Sequence, residues 1–149
     1  YIDTLGAEGI KDAAQKAVLN ANYLMEGLKE FYPVAYDRVC MHEFVLTLEN
    51  LKHEKGVSAM DVAKAMLDYG IHPPTMYFPL IVHEDLMFEP TETENKETLD
   101  EAIRVLGEIR QIAEKDAQSL HEAPHRTIIG RVDEVRAARQ PVLKYAFND

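Results

Sequence analysis

The chain has 149 residues, and its 16 Lys and Arg against 26 Asp and Glu leave a formal net charge of −10. That length makes one domain the natural count and suffices to bury roughly 68–70% of the unfolded surface. An apolar share of 46% argues against global disorder, the acidic balance disfavours general binding to nucleic acid, and a single cysteine excludes an internal disulfide or a cysteine zinc cage. No apolar run, residues 75–82 included, is long enough to cross a bilayer. Residues 1–10 lack the basic start and apolar block of a signal peptide, so the cytoplasm fits best. Tyr1 rather than Met stands first, which leaves room for a longer parent.

Residues 4–31 read as a long helix. Ile10, Ala13, Ala14, Ala17, Val18, Ala21, Leu24, Leu28 and Phe31 recur at steps of three and four, and the alanines thin the stripe so that a neighbour can pack close. Pro33 stops it. Residues 39–48 alternate as a strand, with Cys40, His42, Phe44, Leu46 and Leu48 on one face; both faces are largely apolar, which predicts a central strand. Residues 50–56 read as a polar connection.

Ser58 and Asp61 have capping-box spacing and open a second helix, with Val62, Ala63, Met66 and Leu67 inward and Gly70 at its end. After the stiff corner His72-Pro73-Pro74, residues 75–78 and 86–89 read as short strands, with Pro79 marking an edge or bulge. Thr91 and Glu94 offer another capping box. Leu99, Ala102, Ile103, Leu106, Ile109, Ala113 and Leu120 trace a third helix that stops before Pro124. Residues 131–139 suit a short charged helix. This order predicts a two-layer α/β (α+β) arrangement, a small sheet with helices on one face.

Local motifs give little chemistry. Four His-Glu pairs occur, beginning at His42, His53, His83 and His121, but none is completed to the His-Glu-x-x-His zinc motif, so no metal site is expected. His42 reads either as a hydrogen-bonded core histidine or as a group lining a pocket. Cys40 has no adjacent cation and reads as a small buried residue. Glu89-Pro90-Thr91-Glu92-Thr93-Glu94 is the most unusual stretch: either an acidic helix start that complements the dipole, or a loop facing a ligand or partner. Residues 124–149 carry Arg126, Arg131, Arg136, Arg139 and Lys144 against Asp133, Glu134 and Asp149, a balance of +2. That stretch reads as a solvated charged helix or a patch for an acidic partner.

Longer blocks carry a resemblance. Residues 76–82, Met-Tyr-Phe-Pro-Leu-Ile-Val, and 86–100, Leu-Met-Phe-Glu-Pro-Thr-Glu-Thr-Glu-Asn-Lys-Glu-Thr-Leu-Asp, closely resemble the C-terminal region of the glycine cleavage system P-protein family, glycine dehydrogenase (decarboxylating), or its subunit 2 in two-subunit forms. His42-Glu43-Phe44-Val45, the blocks at 61–64 and 67–75, the helix at 6–23 and the segment 131–143 agree with it. Asn95 stands where the family commonly has Ser, and either suits a helix start.

The resemblance implies a pyridoxal-phosphate enzyme of the aspartate-aminotransferase fold type, with residues 1–149 as its small C-terminal domain. Residues 1–31 would be a linking helix, 39–123 the sheet and helices, and 124–149 the tail. Such an enzyme decarboxylates glycine and passes the aminomethyl group to the lipoyl arm of H-protein. The cofactor lysine and phosphate cup would lie upstream of Tyr1, so no catalytic or cofactor residue is expected within this chain, and the chain alone should be inactive. Its partners would be the large cofactor domain, another P-protein subunit and H-protein. Substrate-channel candidates are His42, the corner from His72 to Thr75, and Thr91, Glu92, Thr93 and Glu94. An alternative is an independent acidic interaction module without catalysis, and a weaker one a metal enzyme using the histidines. The thin alanine stripe, if uncovered, favours self-association.

Overall fold

The structure, a computed structural model, describes residues 1–145 and Phe147. Its elements are α1 (Ile2–Leu28), β1 (Phe44–Thr47), α2 (Glu49–Lys55), α3 (Ala59–Leu67), β2 (Thr75–Met76), β3 (Asp85–Phe88), α4 (Lys96–Lys115), α5 (Ala117–Glu122) and α6 (Glu134–Arg139). The strands form one antiparallel sheet in the order β1-β3-β2. Phe44 and Leu46 face Phe88 and Leu86 across the ladder, and their side chains point to the core. The helices supply Leu24, Met25 and Leu28 from α1, Val62 and Met66 from α3, and Leu106 and Ile109 from α4. This is the expected small α+β arrangement.

The C-terminal half of α1 joins that core, whereas residues 2–19 bury no side chain fully. The helix is broken at Gly6, whose φ of 62° lies in the left-handed region. Close packing against α4 occurs at glycines, and of the predicted alanines Ala21 alone is fully buried. A Cβ on Gly27 would lie 2.3 Å from Ile103 Cδ1, and one on Gly107 2.8 Å from Phe31 Cζ.

Several expected elements are shorter or displaced. The strand predicted over 39–48 pairs with β3 only from Phe44; β3 is the middle of the three strands, and among the described residues the other edge of β1 is met only by the segment at Val34, bridged to Leu46. The reason is a side chain 18 residues away in sequence. The Asn22 side chain donates to the Cys40 carbonyl at 2.8 Å and accepts the Cys40 amide at 3.0 Å, taking groups that a sheet neighbour would use. The predicted polar connection at 50–56 is α2, anchored by buried Leu51 and closed by Gly56 at φ 76°. β2 ends after two residues because Tyr77 turns to φ 58°.

The capping box at Ser58 and Asp61 forms as expected. The one expected at Thr91 does not: Asn95 caps α4, accepting the Thr98 amide at 2.9 Å. The third helix breaks at Asp116, which caps α5. Asp149, counted in the charge of the tail, lies outside the described residues.

Two buried aspartates have opposite environments. Asp61 accepts bonds from the Ser58 hydroxyl at 2.6 Å, the Ser58 amide at 2.9 Å and Arg131 at 2.8 Å, and meets His121 Nδ1 at 3.2 Å. Burial pushes its pKa up, but the bonds from Ser58 and Arg131 outweigh burial and hold it below the ordinary 3.8. Asp85 faces Thr47 on the other face of the sheet. It is fully buried, and among the described residues neither carboxylate oxygen has a hydrogen-bond partner. Burial pushes its pKa above 3.8.

The signs follow from linkage. Asp61 stabilises the fold above its unfolded value, and that contribution is lost as pH falls through its lowered value. Asp85 favours the fold only while protonated, so its contribution is lost as pH rises from 3.8 through its raised value. Urea unfolding of Asp85→Asn should therefore show a gain of about 1–3 kcal/mol at pH 7 that shrinks toward pH 4. Asp61→Asn should show a loss of similar size, about 1–3 kcal/mol, at pH 7 that shrinks below pH 4. Effects of equal size at both pH values would contradict this assignment.

Candidate functional site

The junction from β3 to α4 organises the surface. Pro90 is buried, and the chain turns over residues 91–94 before Asn95 starts α4. Asn20 on α1 holds this turn: its side-chain amide donates to the Thr91 carbonyl at 2.8 Å and the Glu94 carbonyl at 3.0 Å. Thr91 caps no helix here: the Glu94 amide that its hydroxyl would accept donates to the Thr91 carbonyl at 3.3 Å. Its hydroxyl instead meets the Thr93 hydroxyl at 2.7 Å. The Tyr1 hydroxyl donates to Glu92 at 2.6 Å and holds that carboxyl below its usual range.

Two grooves flank the turn. The larger, about 830 Å³, brings His72, Thr75 and Glu94 together over an apolar floor that includes Ile71 and Leu99. The smaller, about 310 Å³, brings His42, Thr91 and Glu92 against Ala14, Ala17 and Val18 of α1. Glu89 and Pro90 line both. Thr93 is exposed and lines neither. His42 is thus not the hydrogen-bonded core histidine of the first alternative: its side chain is 52% exposed and stands 4.0 Å from Glu43. It stands in the irregular stretch before β1, where alternation no longer decides which face is inward.

The larger groove is acidic. Its charged lining is Glu89, Glu94, Glu97 and Glu101, with no Lys or Arg. Glu101 is paired with Arg104 at 2.6 Å; the other three have no ion-pair partner among the described residues. Such a surface attracts an ammonium or guanidinium and repels a phosphate. Lysine chemistry is equally absent from both grooves. Lys16, Lys29, Lys55, Lys64 and Lys96 are held in ion pairs elsewhere, and Lys11, Lys52, Lys115 and Lys144 are exposed.

Cys40 is half-buried rather than fully buried, and burial pushes its thiol pKa up, away from a nucleophilic thiolate. Among the described residues no three His, Cys, Asp or Glu side chains cluster in a way that could hold a metal ion. No helix described is long and apolar enough to cross a membrane. The residues present therefore do not fit a phosphate-bearing aldehyde cofactor. What they can do is wall a cleft and orient a cationic group.

Sequence reasoning missed Asn20. Its only signal was an asparagine inside a helix, where that residue is a weak helix former. Asn20→Ala should destabilise the fold by about 1–2 kcal/mol and speed amide exchange at residues 91–95, while the β1–β3 amides stay protected. Unchanged exchange in the turn would show that Asn20 does not hold it.

Comparison with known proteins places these features in a family. The family model described as "Glycine dehydrogenase, C-terminal domain" matches residues 13–128. Proteins named "Probable glycine dehydrogenase (decarboxylating) subunit 2" are 61% identical in Treponema denticola over 145 residues and 57% in Caldanaerobacter subterraneus over 146, each covering 97% of this chain and 30% of that protein. The one from Thermosipho melanesiensis is 52% identical over 149 residues, 100% of this chain and 31% of its own. The chain thus spans about 30% of the length of these curated relatives. A crystal structure of glycine decarboxylase (P-protein) of the glycine cleavage system, in inhibitor-bound form, superposes with a TM-score of 0.61 at 26% identity, covering 73% of this chain and 24% of that one. This chain belongs to the glycine dehydrogenase C-terminal domain family.

Proposed function

We propose that this chain works as the C-terminal domain of a pyridoxal-phosphate-dependent glycine decarboxylase. In that enzyme glycine is decarboxylated and its aminomethyl group passes to lipoyl H-protein. The observation that carries the reading is the 61% identity to a subunit 2 over 97% of the chain. In this reading residues 1–31 link to the large cofactor domain, 39–123 form the body of the domain and 124–149 its tail. A second P-protein subunit and H-protein are its partners, and the assembly is cytoplasmic. The cofactor supplies the electron sink for loss of CO₂ and is held outside this chain.

The chain's own contribution is the wall of the cleft. His42, His72, Thr91, Glu92, Thr93 and Glu94 border the path of glycine or of the lipoyl arm. The carboxylates around the turn attract the ammonium of an amino-acid substrate or of the aminomethyl product. The cap at Asn95 and the bonds from Asn20 keep that wall in one conformation, which limits the entropy lost when substrate is oriented.

In the intact enzyme, alanine at Thr91, Glu92 or Thr93 should lower glycine–bicarbonate exchange or H-protein turnover by roughly tenfold or more. The 149-residue chain alone should show no exchange. Wild-type rates in all three variants would remove the channel role.

A further inference from the structure

The loop between β2 and β3, residues 77–84, closes over a buried carboxyl. It is hinged at both ends on left-handed residues, Tyr77 at φ 58° and Glu84 at φ 47°. Neither is a glycine, so the surroundings must hold both hinges in place. The bonds that do so gather at the neck of the loop. The Tyr77 amide donates to the Asp85 carbonyl at 3.3 Å, and the Leu48 amide to the Glu84 carbonyl at 2.8 Å. The Thr47 hydroxyl donates to the His83 carbonyl at 2.9 Å. The Glu84 carboxylate accepts the Ala59 amide, in the first turn of α3, at 2.8 Å, and the Tyr77 hydroxyl stands 3.5 Å from the same oxygen.

Asp85 follows the second hinge. Its backbone sits in the β1–β3 ladder, and its carboxyl is fully buried. Its own amide and that of Phe78 lean towards the carboxyl, but among the described residues no donor meets it in hydrogen-bond geometry. β1 offers only the uncharged Thr47 opposite. The titratable groups around it are Glu84 and the Tyr77 phenol in the neck, with exposed His83 beside them and exposed Glu49 at the start of α2. Burial, and then the like charge of Glu84, push its pKa above the ordinary 3.8. A neutral carboxyl tolerates this cover, whereas an ionised one requires water or a donor. Two movements would admit water. Moving β3 breaks the ladder and uncovers Leu86; lifting the loop leaves the ladder intact and releases two left-handed hinges. The second costs less.

We propose that Asp85 is a pH-sensitive latch for the loop 77–84, shut while its carboxyl is neutral and lifted when it ionises. The inference does not depend on the catalytic reading above. Closure is fully supported below the ordinary aspartate value and weakens as pH rises through the Asp85 value of the closed loop. Phe78 and Pro79 line a cleft of about 540 Å³ together with His42, so lifting the loop removes one wall of it. Nuclear magnetic resonance of the 149-residue chain between pH 4 and pH 7 tests the latch. As pH rises, amide order parameters over residues 78–83 should fall from about 0.85 toward about 0.6, while those of β1 and β3 stay near the rigid value. The midpoint should lie above 3.8 and match that of the Asp85 carboxyl carbon. Asp85→Asn, which keeps the shape and removes the charge, should leave the loop ordered at pH 7. Loop order that does not change with pH, a change that persists in Asp85→Asn, a carboxyl midpoint at or below 3.8, or equal loosening of β1 and β3 would overturn the latch.

Discussion

The ladder between β1 and β3 is the constraint on which the rest depends. Phe44 and Phe88 stack with ring centres 5.4 Å apart, and Leu46 faces Leu86 one pair along. A shift of one residue would turn Asp85 and Met87 into the core and expel Leu86 and Phe88. The register therefore decides where β3 ends, and with it where Glu89 and Pro90 leave the sheet. The turn at 91–94, the cap at Asn95 and the two grooves all follow from that exit point. The glycines at 27 and 107 then let α1 lie close enough to α4 for Asn20 to reach the turn.

Much of the fold was legible because it rests on local rules. The α4 stripe, the Ser58 capping box and the helices behind one sheet face follow from periodicity and side-chain reach. What failed was decided by distant side chains. Asn22 ends the strand expected from residue 39, and Asn20 holds the turn in which the cap was expected at Thr91. Neither effect has a sequence spacing, since one pair is 18 residues apart and the other 71. The acidic character of Glu89, Glu92 and Glu94 was visible beforehand; the separation of His42 from His72 into different grooves was not, because it depends on the ridge at Glu89 and Pro90.

Among the described residues, the molecule's two grooves are lined by carboxylates, histidines, threonines and apolar side chains. Its lysines are paired or exposed away from the grooves, its one thiol is pushed toward the protonated form, and its principal groove carries charge of the wrong sign for a phosphate. This lining accords with the proposed role as a wall of the cleft. It also explains why short catalytic motifs were uninformative here and long matched blocks were decisive.

The central claim is that this chain contributes no cofactor-binding lysine. It is tested most directly by mixing the chain with pyridoxal phosphate, reducing with borohydride and mapping the adducts by mass spectrometry. The account predicts scattered, substoichiometric labelling at exposed residues such as Lys11, Lys52 and Lys115. A single stoichiometric adduct at one lysine would contradict it.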